Sequence, residues 1–143
     1  MSTEIEHFWH CYQQTQFLLT QTFSPLLSFA IITAHNPRGE ILTPSQNRLL
    51  DRQLQRHIVK LQYPYRSVVG CSLDKQHMEK SWAIPMDKLD AVALARVFNQ
   101  NAIYYVEEDL LQLVPCLINY SELSLGSFSA RVSLVSELPD IYS

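Results

Sequence analysis

Glycine is scarce in this sequence: Gly39, Gly70 and Gly126 are the three in 143 residues. A glycine-rich loop that lets backbone N–H groups close around a phosphate is therefore excluded, because such loops need several glycines close together. With seven prolines and so few glycines, there is little room for a flexible linker. Cysteine is equally thin. Cys11, Cys71 and Cys116 are odd in number, lie far apart and form no CxxC pair or metal-ligand spacing. Cys71 and Cys116 sit in apolar, strand-like runs, where a thiol behaves as a small buried hydrophobe. No apolar run approaches the roughly 20 residues of a membrane span. The opening MSTEIEHFWH has neither a basic n-region nor an apolar h-region. These features make a soluble, cytoplasmic protein the expectation. The catalytic signatures GxSxG and HExxH are absent as well.

Charge is light, at 17% of residues and a net −3. No overall field draws in a polyanion, so nucleic acid is not expected as a partner. Arg48, Arg52 and Arg56 recur at helical spacing and read first as a solvated helix face, with a phosphate-facing stripe as the sharper alternative. His7, His10 and Cys11 share one helical turn, yet zinc requires a fuller donor set than this turn supplies. No metal or cofactor is expected.

What the chain does have is 47% hydrophobic residues in a length typical of one domain. The reading is a single domain over 1–143, with an N-terminal helix and connector (1–24), a core (25–115) and a C-terminal tail (116–143). Residues 3–19 read as a helix opened by a Thr3/Glu6 capping box, with Ile5, Phe8, Trp9 and Tyr12 on one face. Residues 27–34 (LSFAIITA) read as a strand covered on both sides, ended by the turn signal Asn36-Pro37-Arg38-Gly39. A second helix starts with Thr43 as N-cap and Pro44 at its first position, burying Leu50, Leu54, His57, Ile58 and Leu61 up to about residue 61. Strands over 66–73 and about 81–85 follow as a hairpin. A third helix over 86–99 is expected to bury Leu89, Val92, Ala93, Val97 and Phe98. A hairpin of 102–106 and 110–114 turns at Glu107-Glu108-Asp109, an acidic tip read as solvated. Residues 116–120 are strand or loop, and 128–135 alternate as a late edge strand. The order α-β-α-β-β-α-β-β plus this strand predicts an α+β fold, a mostly antiparallel sheet of about five strands covered by helices.

Polar residues cluster at the ends of these elements. Thr33 and Asn36 close the first strand, Asn47 and Arg48 open the second helix, Glu79 and Ser81 stand at the start of the third strand, and Gln100 and Asn101 stand just before the fourth. In an antiparallel sheet, the end of one strand meets the start of its neighbour. These eight residues are the candidate ligand-binding set, with Glu79 the acid or base if chemistry occurs. Several also have a local duty available. Asn36 before Pro37 makes an Asx-type turn, Asn99 or Asn101 ends a helix in the left-handed conformation, and Glu79 pairs with Lys75 or Lys80. Asn47 and Gln100 have no such duty.

Phe29–Pro37 (FAIITAHNP), Asn47, Glu79-x-Ser81 and Phe98-x-Gln100-Asn101-Ala102 together resemble a family of small bacterial proteins known only as a domain of unknown function. The resemblance spans about residues 28–106. It departs at His35, where an aromatic such as tryptophan is expected, at Lys80, where proline is expected, and in 74–78, which lack a tryptophan. It implies a bacterial, cytoplasmic protein and carries no activity with it.

Two functions fit. One is a pocket for a small polar, nucleotide-like ligand, read by the Asn and Gln amides, with Arg48 and the helix start at 43–45 holding a phosphate. The other is a non-enzymatic interaction or regulatory module. It would use Phe8, Trp9, Tyr12, Tyr63, Tyr65, Tyr104, Tyr105 and an edge strand, with a protein partner or a homodimer left open.

Overall fold

The computed structural model describes residues 3–142, with the Thr3 side chain excepted, so the expected Thr3 half of the capping box lies outside the described residues. Among the described residues, three α-helices and eight strands form an α+β fold. The elements in chain order are α1 (Thr3–Tyr12), β1 (Gln16–Leu19), β2 (Phe29–Thr33), α2 (Pro44–Lys60), β3 (Arg66–Cys71), β4 (Met78–Ile84), α3 (Lys88–Val97), β5 (Ala102–Glu107), β6 (Leu110–Pro115), β7 (Leu123–Ser127) and β8 (Val132–Leu134). One sheet runs β7-β6-β5-β2-β4-β3-β1-β8. All neighbours are antiparallel except β1 and β8, so the sheet is mixed.

The expectation of about five strands was too few. Residues 16–19 (QFLL), taken as the end of the first helix, form β1, whose Phe17, Leu18 and Leu19 are all buried. Burial on both sheet faces outweighs the modest helix propensity of these residues. The expected late strand over 128–135 is shorter than the alternation suggested. Phe128 turns into the core, residues 129–131 make a 3-10 turn, and only Val132–Leu134 pair.

The two edge strands force the sheet to curl. Laid flat, seven gaps of about 4.8 Å would set β7 and β8 roughly 34 Å apart. Only four residues join Ser127 to Val132, a reach of about 18 Å fully extended. The sheet therefore rolls toward a barrel. Arg131 clasps the seam, donating from Nη1 to the carbonyls of Gln13 (2.7 Å) and Thr15 (3.3 Å), and from Nη2 to that of Leu125 (3.5 Å). Asp109 anchors the same crossing through the Ser127 and Ser129 hydroxyls and the Ser129 N–H, so one residue of the acidic hairpin tip has a structural task.

Alternation along each strand sends one set of side chains outward to the helices and the other inward. Outward, Ala30, Ile32, Trp82, Ile84, Ile103 and Tyr105 meet Leu54 and Ile58 of α2 and Ala91, Leu94, Ala95 and Phe98 of α3. The α3 stripe differs from the expected one. Of that set Phe98 is buried and Val92 half-buried, whereas Leu89 and Val97 are 83% and 60% exposed. The true stripe of 91, 94, 95 and 98 is displaced by two residues, about 200° around a helix. Its alanines let α3 approach the sheet closely. On α2, His57 and Leu61 are exposed, and Asn47 and Asp51 are buried in their place. Arg48, Arg52 and Arg56 are all exposed.

Inward, one end of the barrel is filled by Phe17, Phe29, Phe128 and the half-buried Phe23, packed mostly edge-to-face or tilted at 4.9–5.4 Å. The other end, where β2 finishes and β4 and β5 begin, is left open.

Candidate functional site

That open end encloses a cavity of about 360 Å³. Its inner wall is apolar, from Phe17, Ile31 and Leu113, and its polar groups come from strand ends and from α1, which closes the mouth. Gly70 of β3 contributes to the space by having no side chain. A Cβ there would meet nothing nearer than the Thr15 methyl at 3.5 Å. A glycine inside a strand leaves room for a ligand or another backbone to approach.

The turn after β2 builds the polar side. Asn36 is in the left-handed conformation, φ 48°, which asparagine tolerates better than most residues. Its N–H donates to Asn47 Oδ1 (2.9 Å), and Asn47 Nδ2 donates back to Asn36 Oδ1 (2.9 Å), which also accepts from the Leu42 N–H (3.0 Å). Because a backbone N–H can only donate, the oxygen of the Asn36 amide is fixed on that side and Nδ2 faces the other way. There it donates to Glu79 Oε2 at 3.0 Å. Asn47 is held in turn by α2, whose Thr43/Gln46 capping box fixes the first turn. A helix start thus positions one asparagine, that asparagine positions a second, and the second positions a carboxylate.

Glu79 Oε2 also accepts from His77 Nε2 at 3.1 Å. This bond raises the pKa of the imidazole against the opposing effect of its burial. Among the described residues no protein donor reaches Oε1. The expected pairing of Glu79 with a lysine is not formed. Lys80 points to the opposite sheet face, where its ammonium lies 3.6 Å from Asp51 and over the Trp82 ring. Burial lowers the Lys80 pKa to about 8, with Asp51 opposing.

Opposite Glu79, Asn101 Nδ2 donates to the Tyr12 hydroxyl at 3.1 Å, leaving the phenolic hydrogen free for the cavity. Burial raises the Tyr12 pKa, and the Glu79 charge adds to the effect. Tyr104 donates to the Tyr12 carbonyl and bonds Thr15 Oγ1, which ties α1 to the sheet. Its complete burial pushes the phenol far above its ordinary range. At the rim, His7 Nε2 lies 3.5 Å from Cys11 Sγ on α1.

Six of the eight nominated residues line this one cavity: Thr33, Asn36, Glu79, Ser81, Gln100 and Asn101. Thr33 and Ser81 are cross-strand partners. Thr33 Oγ1 donates to the Lys80 carbonyl and accepts from the His35 N–H, so the threonine also locks the strand end. Gln100 ties the α3 terminus to β2 by donating to the His35 (3.1 Å) and Phe98 (3.3 Å) carbonyls. Asn99 takes the left-handed helix-ending role, in a Schellman pattern of Asn99 N–H to Arg96 and Gln100 N–H to Ala95. Asn47 stands behind Asn36, lining a more open neighbouring pocket of about 350 Å³. Arg48 is exposed and lines neither space.

The candidate ligand-binding set omitted His77, and it omitted Tyr12 and Tyr104, which were read as parts of an interaction surface. His77, Glu79 and Ser81 recur at the two-residue spacing that puts side chains on one face of a strand, which was a usable signal. Nothing local marks Tyr12. Of the aromatics considered for an interaction surface, Trp9 is buried and stacked on Tyr120 (4.6 Å), Tyr105 is buried and donates to the Met86 carbonyl, and Tyr65 packs edge-on against Trp82.

No curated protein and no solved structure matches the chain. Among the described residues, no helix is long and apolar enough to cross a membrane. The family model described as "Protein of unknown function (DUF3293)" matches residues 32–103, from β2 to β5, a span that holds all eight nominated residues. The chain belongs to this family of proteins of unknown function.

Proposed function

We propose that this domain binds a small organic molecule inside its curled sheet, with the body of the ligand against Phe17, Ile31 and Leu113 and its polar head at Glu79, Tyr12 and Asn101. The observation that carries the reading is the cavity of about 360 Å³ at the open end of the sheet. It falls in the size range of small-molecule sites, and its apolar wall with a few convergent polar groups matches their chemistry. The nucleotide-like form of the idea loses its phosphate grip, because Arg48 points into solvent.

The test is a thermal-shift screen of small aromatic and aliphatic amines, alcohols and acids against wild type and Gly70→Leu. Since a Cβ at Gly70 fits, the leucine extends into the cavity and occupies it. A ligand at about 100 times its dissociation constant adds roughly 2.7 kcal/mol. A shift in wild type that disappears in Gly70→Leu is the expected result. Equal shifts in both proteins would place binding elsewhere and refute the reading.

A further inference from the structure

Resting on that reading, we infer that the ligand is an organic cation, a small aromatic or aliphatic amine whose ammonium group is held by Glu79. Among the described residues that line the cavity, Glu79 is the one carboxylate, and no lysine or arginine lines it. The carboxylate is built to keep its charge in place. Oε2 is taken by Asn36 and by His77, and Asn36 is itself locked by Asn47 and Leu42. Oε1 has no protein donor among the described residues and is left for the cavity. A fixed carboxylate with one committed and one open oxygen is an acceptor for a charged donor, and charge-assisted hydrogen bonds of this kind are the strong ones.

The rings around it suit the same ligand. Phe8, Tyr12, Phe17 and Tyr104 all line the cavity, Phe8 stacked with Tyr12 and Phe17 edge-on to Tyr104. Aromatic faces attract cations, and more strongly where water is excluded. An anionic head would be repelled by Glu79 and would find no lysine or arginine to meet it. His77 also lines the cavity, but its Nε2 is committed to Glu79 Oε2 at 3.1 Å and 54% of its side chain is exposed to water.

The experiment is calorimetric titration with three probes of one shape: 2-phenylethylamine, 2-phenylethanol and phenylacetate, at a pH where the amine is protonated. The amine should bind about tenfold or more tighter than the alcohol, with phenylacetate weakest. In Glu79→Gln, which keeps an acceptor for Asn36, the amine and the alcohol should converge. Alcohol binding as tight as the amine would overturn the cation assignment while leaving the cavity reading intact. An amine preference that survives Glu79→Gln would overturn the role of Glu79. If none of the three binds, both the cation assignment and the cavity reading fall. The wild-type comparison stands by itself, so a poorly folded variant does not remove the test.

Discussion

Replacing Asn47 by alanine tests the chain of positions that ends at Glu79. Asn47 is buried and gives two bonds to Asn36, accepting its N–H at 2.9 Å and donating to its Oδ1 at 2.9 Å. Truncation leaves the buried Asn36 N–H without an acceptor, at a cost of about 1–3 kcal/mol. The second bond adds about 1 kcal/mol, since Asn36 Oδ1 keeps the Leu42 N–H. The left-handed turn at Asn36 also loses the contact that holds it. Together the loss is about 3 kcal/mol, or roughly 10 °C in melting temperature for a chain of this size. Calorimetry gives the melting temperature, and amide hydrogen exchange at Asn36 reports the orphaned N–H directly. Asn47→Asp keeps the acceptor but sets a carboxylate oxygen against Asn36 Oδ1, so it should fall between wild type and alanine. An alanine variant melting within about 2 °C of wild type, with Asn36 exchange unchanged, would refute the positioning argument.

Two other perturbations follow from the same geometry. Gly39 sits at φ +80° with the Phe8 ring 2.4 Å from where a Cβ would be, so Gly39→Ala must both strain the turn and push Phe8 aside. A loss of about 1–3 kcal/mol is expected together with a change in Trp9 fluorescence as α1 lifts, and an unaltered spectrum would show that α1 is not seated there. Lys80 has a folded pKa of about 8, below its unfolded value, so between those values the unfolded chain holds more protons and stability rises with pH. From pH 7.5 to 9 wild type should gain stability relative to Lys80→Met, measured by urea unfolding, and parallel curves would contradict the burial of the amine.

The second helix was legible because its signals are local. Thr43, Pro44 and Gln46 specify its start with no help from the rest of the chain. The hairpins of β3–β4 and β5–β6 were legible for a similar reason, since each pairs neighbours in sequence. Of the two missed strands, β7 pairs with its neighbour β6 but is mostly exposed and carries little apolar pattern, whereas β1 has only remote partners. β1 pairs with β3 and β8, about 50 and 115 residues away, and its short apolar run carries no period long enough to separate strand from helix. The face of α3 was misread because two apolar stripes of identical spacing compete, and only the sheet beneath decides which is buried. For the site, Asn47 and Gln100 stood out through the lack of any local task, and both proved to serve distant partners. Tyr12 could not be found in this way, because its place depends on how α1 caps a curled sheet whose edge strands β7 and β8 are joined by only four residues.

The central claim, that the cavity takes a ligand, is tested most directly by methyl NMR during titration with 2-phenylethylamine and 2-phenylethanol. Ile31 and Leu113 line the cavity, whereas Ile103 faces the helices on the outer side of the sheet and Leu89 and Leu26 are 83% and 78% exposed. The account predicts saturable shifts at the methyl groups of Ile31 and Leu113, with Leu26 and Leu89 unmoved. Shifts confined to the exterior leucines, or no saturable shift at any methyl group, would contradict it.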